Sequence, residues 1–308
     1  MGTGSTLTLK AVTAAATGAY TVVVTNNLGS ARSLPVQLTV DGSARLTNIA
    51  TRAGTGPGEN TLTAGFVITG AATKTVLVRG IGPGLAAFSL TGLLPNPKLT
   101  LFDAAGNTIA TNDDFVSSAT PNGLVAAVSA FPLSNSRDAA LVSPLPSGSY
   151  TVQLTDSGAG SGVALVEVYE ADDNSNRIVN LSSRAFVGTG ASIAIGGISV
   201  QGEKPRQFLI RGVGPALRAF GVNGALGDPV LTLTTALGTI VATNDDWGSA
   251  TNAFEIITTS ATVGAFALPP GSKDSALLIS LPPGNYTALI SGSTATTGIA
   301  LVEVYEVP

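Results

Sequence analysis

A block of sequence occurs twice in this chain, and the duplication limits the possible folds more than any other feature. Arg79-Gly80-Ile81-Gly82-Pro83 returns as Arg211-Gly212-Val213-Gly214-Pro215, and Thr111-Asn112-Asp113-Asp114 as Thr243-Asn244-Asp245-Asp246, both at an offset of 132 residues. Further on, Pro146-Ser147-Gly148-Ser149-Tyr150 answers to Pro282-Pro283-Gly284-Asn285-Tyr286. Leu165 to Glu170 recurs unchanged as Leu301 to Glu306, and the offset is now 136. Four residues are therefore inserted between Trp247 and Lys273, where a loop is expected because loops absorb length changes at little cost. A period this long belongs to a whole domain rather than to a solenoid unit. Each copy is accordingly expected to own its core. Boundaries fall near Asp41 to Ala44 and Asp172 to Asn176, dividing the chain into residues 1–41, 42–175 and 176–308.

Within each copy, short apolar runs alternate with turn residues every ~8 to 12 positions, the pattern of a sandwich or barrel. Leu62, Ala64, Phe66 and Ile68 share one strand face, and Tyr150, Val152 and Leu154 another, as a side-chain period of two requires. Asp103 to Asn107 and Asp156 to Gly160 supply Asx and Gly residues for hairpin turns. One helical turn is expected at Leu85 to Phe88 and another at Leu217 to Phe220, and nothing longer. These signals predict an all-β chain of tandem antiparallel β-sandwich modules, jelly-roll-like in type.

Residues 1–41 read differently. Gly18-Ala19-Tyr20-Thr21-Val22-Val23-Val24-Thr25-Asn26-Asn27-Leu28-Gly29-Ser30 resembles the tyrosine-corner strand and following hairpin of a bacterial immunoglobulin-like domain, with Leu34 to Val40 as its last strand. Leu7 and Leu9 would belong to the strand before the corner. The resemblance covers only the last three strands, and half a sandwich cannot close a core, so a neighbouring module or strands from another chain are expected to complete it. Leu99 to Asp114 with Arg137 to Leu154, and Leu231 to Asp246 with Lys273 to Ile290, resemble bacterial pre-peptidase C-terminal domains. In those, a strand, a Gly turn, an Ala-x-Asn-Asp-Asp element and a Pro-x-Gly-x-Tyr turn follow in that order. The whole repeat, ending Ala-Leu-Val-Glu-Val-Tyr-Glu, also resembles repeats that follow immunoglobulin-like domains in large secreted proteins of Verrucomicrobia-type bacteria. The resemblance implies an accessory, adhesive or structural role and carries over no catalytic residues.

Composition removes several functions by inventory. The chain has neither Cys nor His, which excludes thiolate catalysis, Ser-His-Asp chemistry, His-bound zinc and disulfides. A net charge of −4 with scattered Lys and Arg offers no basic stripe for nucleic acid. No apolar run approaches the ~20 residues of a membrane-spanning helix. Only 11% of residues are charged, which favours packing against partners over binding charged ligands. Met1-Gly2-Thr3-Gly4-Ser5 lacks signal-peptide character, so an export signal is expected on a longer precursor. Secretion to the extracellular space or cell surface is the expected localisation.

Asn112, Asp113 and Asp114, and Asn244, Asp245 and Asp246, place two carboxylates and a carboxamide at a strand end with no Lys or Arg beside them in sequence. Two readings are open: part of a calcium site, the one cofactor expected, or an Asx turn bonded to nearby backbone. Glu167 and Glu303 sit mid-strand with neither face freely solvated, so each needs a partner. Arg79 and Arg211 are expected to supply a bidentate structural ion pair, with Arg52 and Arg184 as rivals. Gly80 to Gly84 is read as a backbone turn, because no long helix follows and Ala216 replaces the last glycine in the second copy. Phe115 and Trp247 occupy matching positions. They either plug their own sandwich or stand exposed as platforms for sugar. Three functions follow. The first is a non-catalytic subunit of an extracellular fibre or stalk that self-associates or packs on neighbouring domains. The second is a glycan- or matrix-binding module of a larger enzyme or adhesin. The third, a hydrolase, lacks a visible acid and base pair.

Overall fold

The structure is a computed structural model describing residues 4–9, 12–40, 42, 44–115, 122–172 and 176–308. The expectations for Met1 to Thr3 and for much of the two boundary segments lie outside the described residues. Residues 4–40 carry four short strands, β1 Gly18–Tyr20, β2 Val23–Asn26, β3 Gly29–Arg32 and β4 Val36–Leu38. β1 pairs with β4, and β2 with β3. The hairpin turns on Asn26, whose Oδ1 accepts the N–H groups of Leu28 and Gly29. The Tyr20 hydroxyl donates to the Ala16 carbonyl at 2.8 Å, closing a tyrosine corner. Tyr150 and Tyr286 make the same bond to Pro146 and Pro282. Two expectations need correction. Leu7 and Leu9 lie in coil. The strand expected from residue 18 onward breaks at Thr21-Val22, where the chain changes partner from β4 to β3.

The first copy runs β5 Arg45–Thr55, β6 Leu62–Thr69, β7 Lys74–Ile81, β8 Pro97–Phe102, β9 Thr108–Asn112, helix α1 Asn122–Ala127, β10 Ala139–Leu145, β11 Gly148–Asp156 and β12 Gly162–Glu170. The second repeats it as β13 Arg177–Val187, β14 Ala194–Gln201, β15 Arg206–Val213, β16 Pro229–Thr235, β17 Ile240–Asn244, helix α2 Ala253–Thr262, β18 Ser275–Leu281, β19 Gly284–Gly292 and β20 Gly298–Glu306. Short 3-10 helices at Pro83–Phe88 and Pro215–Phe220 match the single turns expected there. The insertion between Trp247 and Lys273 does not form a plain loop. It includes α2, whose Ile256 is buried in a cluster with Trp247, Val222 and Leu268, so burial of its apolar face holds a helix where turn residues alone would leave coil.

Every strand of the two copies joins one antiparallel, 16-stranded system. The pairings arrange it as two layers. One reads β10-β7-β12-β5-β14-β19-β16-β17, the other β18-β15-β20-β13-β6-β11-β8-β9. Each layer thus takes four strands from each copy, and the copies meet edge to edge in both. At the two junctions Arg52 of β5 stands opposite Ile195 of β14, and Arg184 of β13 opposite Thr63 of β6. These are equivalent pairs at the 132-residue offset, so the copies are related by a pseudo-twofold axis. Both junctions carry a bulge at the same place, with Thr47 in one and Val179 in the other left without an opposite residue. On the axis, the Thr51 hydroxyl donates to the hydroxyl of its own equivalent, Ser183, at 2.9 Å, with both residues buried.

The expectation that each copy owns its core is therefore corrected. One apolar cluster runs from Leu62, Phe66 and Val152 in the first copy through Ile49, Leu181 and Ile198 at the junction to Phe208, Leu231 and Val304 in the second. The physical reason is the edges. Alone, β5 and β6 would expose unpaired N–H and C=O groups. The second copy satisfies them, and doing so merges the cores.

Candidate functional site

The repeated Arg-Gly-x-Gly-Pro motif holds a buried charge centre. A Cβ on Gly80 would strike Leu154 and one on Gly82 the carbonyl of Leu94, and their equivalents Gly212 and Gly214 face the same collisions. Only glycine lets β7 and β15 pack this closely. The loop's N–H groups are already taken by an internal anion. Asp138 Oδ1 accepts from Gly82 at 2.9 Å and Gly84 at 3.2 Å, and Asp274 Oδ1 accepts from Gly214 and Ala216. Both aspartates are fully buried. Burial raises the Asp138 carboxyl above the ordinary range, against the pull of the two N–H groups and of Arg79. Sequence reasoning missed these acids, although each stands at the 136-residue offset from the other.

Arg79 and Arg211 are wholly buried. Arg79 Nε lies 3.1 Å from Glu167 Oε2, and Arg211 donates through Nε at 2.8 Å and Nη2 at 2.5 Å to Glu303 Oε2. The structure thus joins the two expected pairs. They are not bidentate across both oxygens, because the other oxygen accepts the hydroxyl of Tyr169 or Tyr305. Arg79 and Arg211 each also donate to a phenylalanine carbonyl, Phe131 or Phe266, and lie 4.4 Å above the same ring. Burial drives the Glu167 carboxyl upward, more than Arg79 and Tyr169 lower it. It raises both tyrosine hydroxyls as well, helped by the neighbouring glutamate charge. The rivals Arg52 and Arg184 lie on the junction strands, half-buried.

The acidic turns divide into separate roles. Asn112 and Asn244 act as brackets: each side-chain amide donates to the carbonyl of Asp114 or Asp246, and each oxygen accepts the N–H of Ala140 or Ala276. Asp113 accepts the Ser157 hydroxyl. In the second copy Asp245 and Asp246 meet Asp228, which the sequence did not flag, with carboxylate oxygens within 4.8 Å of one another. Burial, then the charges of Asp245 and Asp246, raise Asp228. The acids expected to lack a nearby cation have one here: Lys273 Nζ lies 2.8 Å from Asp246. Three carboxylates suit a hard cation, whereas both carboxamides are already committed. The first copy has Asn96 where the second has Asp228, so its donor set is smaller. Trp247 is 5% exposed and its indole N–H donates to Ser272. It plugs the second copy, and the exposed sugar platform is not there; Phe115 is half-buried.

Two clefts, of about 340 and 350 Å³, lie where the copies meet. Arg45, Asn48, Tyr169 and Glu170 line the first together with Ser199 and Asn285 of the second copy. Their equivalents Arg177, Asn180, Tyr305 and Glu306 line the other with Val67 and Thr69 of the first. Glu170 Oε2 lies 3.1 Å from Arg45 and 3.3 Å from the fully buried Lys74, and Glu306 contacts Arg177 and Arg206. Burial raises Glu306 despite those cations. The Glu170 and Glu306 repeat was visible in the sequence. Its cations were not, because strand pairing brings them in from 96 to 129 residues away.

No family model and no curated protein matches the sequence. Among solved structures, a DUF4785 family protein from Legionella pneumophila aligns over 98% of this chain and 88% of its own, at 9% identity and a TM-score of 0.24. No helix among the described residues is long and apolar enough to cross a membrane.

Proposed function

We propose that this chain is a non-catalytic structural or adhesive subunit of a secreted surface fibre or stalk, in line with its resemblance to pre-peptidase C-terminal repeats. One observation carries the reading. Among residues 4–40, Val24 of β2 is 66% exposed and Val36 of β4 71%, on two separate two-stranded sheets, and Leu28 in the hairpin turn and Val22 and Leu34 in the flanking coil are exposed at 90%, 58% and 87%. An apolar surface beside open strand edges is a template for added strands. The duplicated body is the unit that such a contact would string together, its layers continuous across both copies. The partner is the immunoglobulin-like half of another copy of this chain. With Trp247 buried, the glycan-binding alternative loses its aromatic platform.

Light scattering and negative-stain microscopy over a concentration series test the reading. Self-association is expected, and Val24→Lys with Leu34→Lys should abolish it. A chain that stays monomeric throughout, with no filament on cells that make it, rejects the proposal. Calcium at Asp228, Asp245 and Asp246 belongs to the same extracellular reading, with affinity of order 10⁻⁴ to 10⁻³ M. Millimolar calcium should raise the melting temperature and EDTA reverse it; no shift rejects the site.

A further inference from the structure

Lys74 opens β7 and is fully buried. Its ammonium lies 3.0 Å from Asp172 Oδ1, and also donates to the Asp172 carbonyl at 2.9 Å. Beside it stands Glu170, whose Oε1 accepts the N–H of Ile178, while Oε2 touches Lys74 and Arg45 without a hydrogen bond of ordinary geometry. A lysine amine, an aspartate carboxyl against it and a buried carboxylate 3.3 Å from the same amine make up the parts of an amide-forming site. We propose that Lys74 and Asp172 condense spontaneously into an internal isopeptide bond, with Glu170 as the proton relay.

The balance closes without a co-reactant. Within the ion pair, a proton passes from the Lys74 ammonium, fully buried, to the Asp172 carboxylate, about a quarter exposed, and the pair becomes neutral. The neutral amine attacks Asp172 Cγ, forming the C–N bond. Glu170 takes the second proton from nitrogen and hands it to the departing hydroxyl as the C–O bond breaks. One water leaves, and Glu170 ends as the carboxylate it began as. The ionised aspartate must be protonated first, since the Thr75 N–H and Lys74 outweigh burial and hold Asp172 below the usual range. That makes the step slow. The first junction cleft, lined by both Glu170 and Asp172, offers the exit.

The second copy is a built-in control. Arg206 stands in place of Lys74 and Pro308 in place of Asp172, so no bond can form there although Glu306 is kept. In the first copy the amide would tie β7 to the segment just past β12, where the chain passes toward β13, so pull along the chain would bypass the strands from β7 to β12.

Intact mass spectrometry of the full, denatured chain decides this. The expected mass is that of the sequence less one water, and a Lys-specific protease should leave position 74 uncut and release a branched peptide holding Lys74 and Asp172. Glu170→Gln should restore the full mass in a chain that still folds by circular dichroism; retained water loss in that variant would overturn the relay. Should the variant fail to fold, the wild-type mass still decides: a folded, aged wild-type chain at full mass, cut at Lys74, overturns the proposal whatever becomes of the fibre reading.

Discussion

At the scale of single residues, the buried Arg, Glu and Tyr sets are where one side chain has the largest effect. Removing one partner leaves a charge stranded in the interior, and that costs more than the pair contributes. Glu167→Ala is expected to lose about 3–5 kcal/mol in urea unfolding, because Arg79 keeps only Phe131. A loss below 1 kcal/mol would show that water reaches the guanidinium. The pH dependence has a definite sign. Because burial places the folded Glu167 carboxyl above its unfolded value, its favourable contribution is present at low pH and fades as the pH rises through the folded value. Glu167→Gln should therefore flatten the stability profile from the unfolded carboxyl's range upward. Asp156 behaves oppositely. Burial would raise it, but the N–H groups of Gly160, Asn96 and Gly158 prevail and lower it. Asp156→Asn should cost about 1–2 kcal/mol near pH 7, with the difference vanishing as the pH falls through the folded-state value.

At the scale of elements, strands and the two single helical turns were legible in the sequence and the α-helices were not. Leu62, Ala64, Phe66 and Ile68 alternate cleanly because β6 buries one face only, so a period of two appears in the letters. Tyr20, Tyr150 and Tyr286 mark three corners by a local bond, with both groups four residues apart. α2 escaped because its apolar side is narrow: Ile256 packs inward while Phe254 and Ile257 stay exposed, and Thr-rich sequence lowers its helix propensity. Its stability comes from the cluster beneath it, which no local pattern displays. Ile256→Ala is therefore expected to cost about 2–5 kcal/mol and to expose Trp247, seen as a red shift of its fluorescence, whereas Phe254→Ala should leave both unchanged. Asp228 escaped for a related reason. It lies 17 residues before Asp245, and only the pairing of β16 with β17 brings the three carboxylates together.

At the scale of the molecule, the duplication predicted two bodies and the structure gives one, because repetition reports what each copy contains and is silent about which edges it leaves open. Those edges are β5 and β6, and the other copy covers both through β14 and β13. The junction is self-complementary. Thr51 meets its own equivalent, and β5 meets the equivalent of β6, so two identical first copies could make the same contacts. Residues 42–172 alone are therefore expected to form a symmetric dimer, with β5 of each paired to β6 of the other. A monomer would expose both junction edges, β5 and β6, and its half of the junction core. In the full chain the linkage makes that association intramolecular, so unfolding should be a single transition, with circular dichroism and Trp247 fluorescence coincident although Trp247 reports only the second copy. Two separated transitions, or a stable monomer of residues 42–172, would mean that each copy closes its interior without the other.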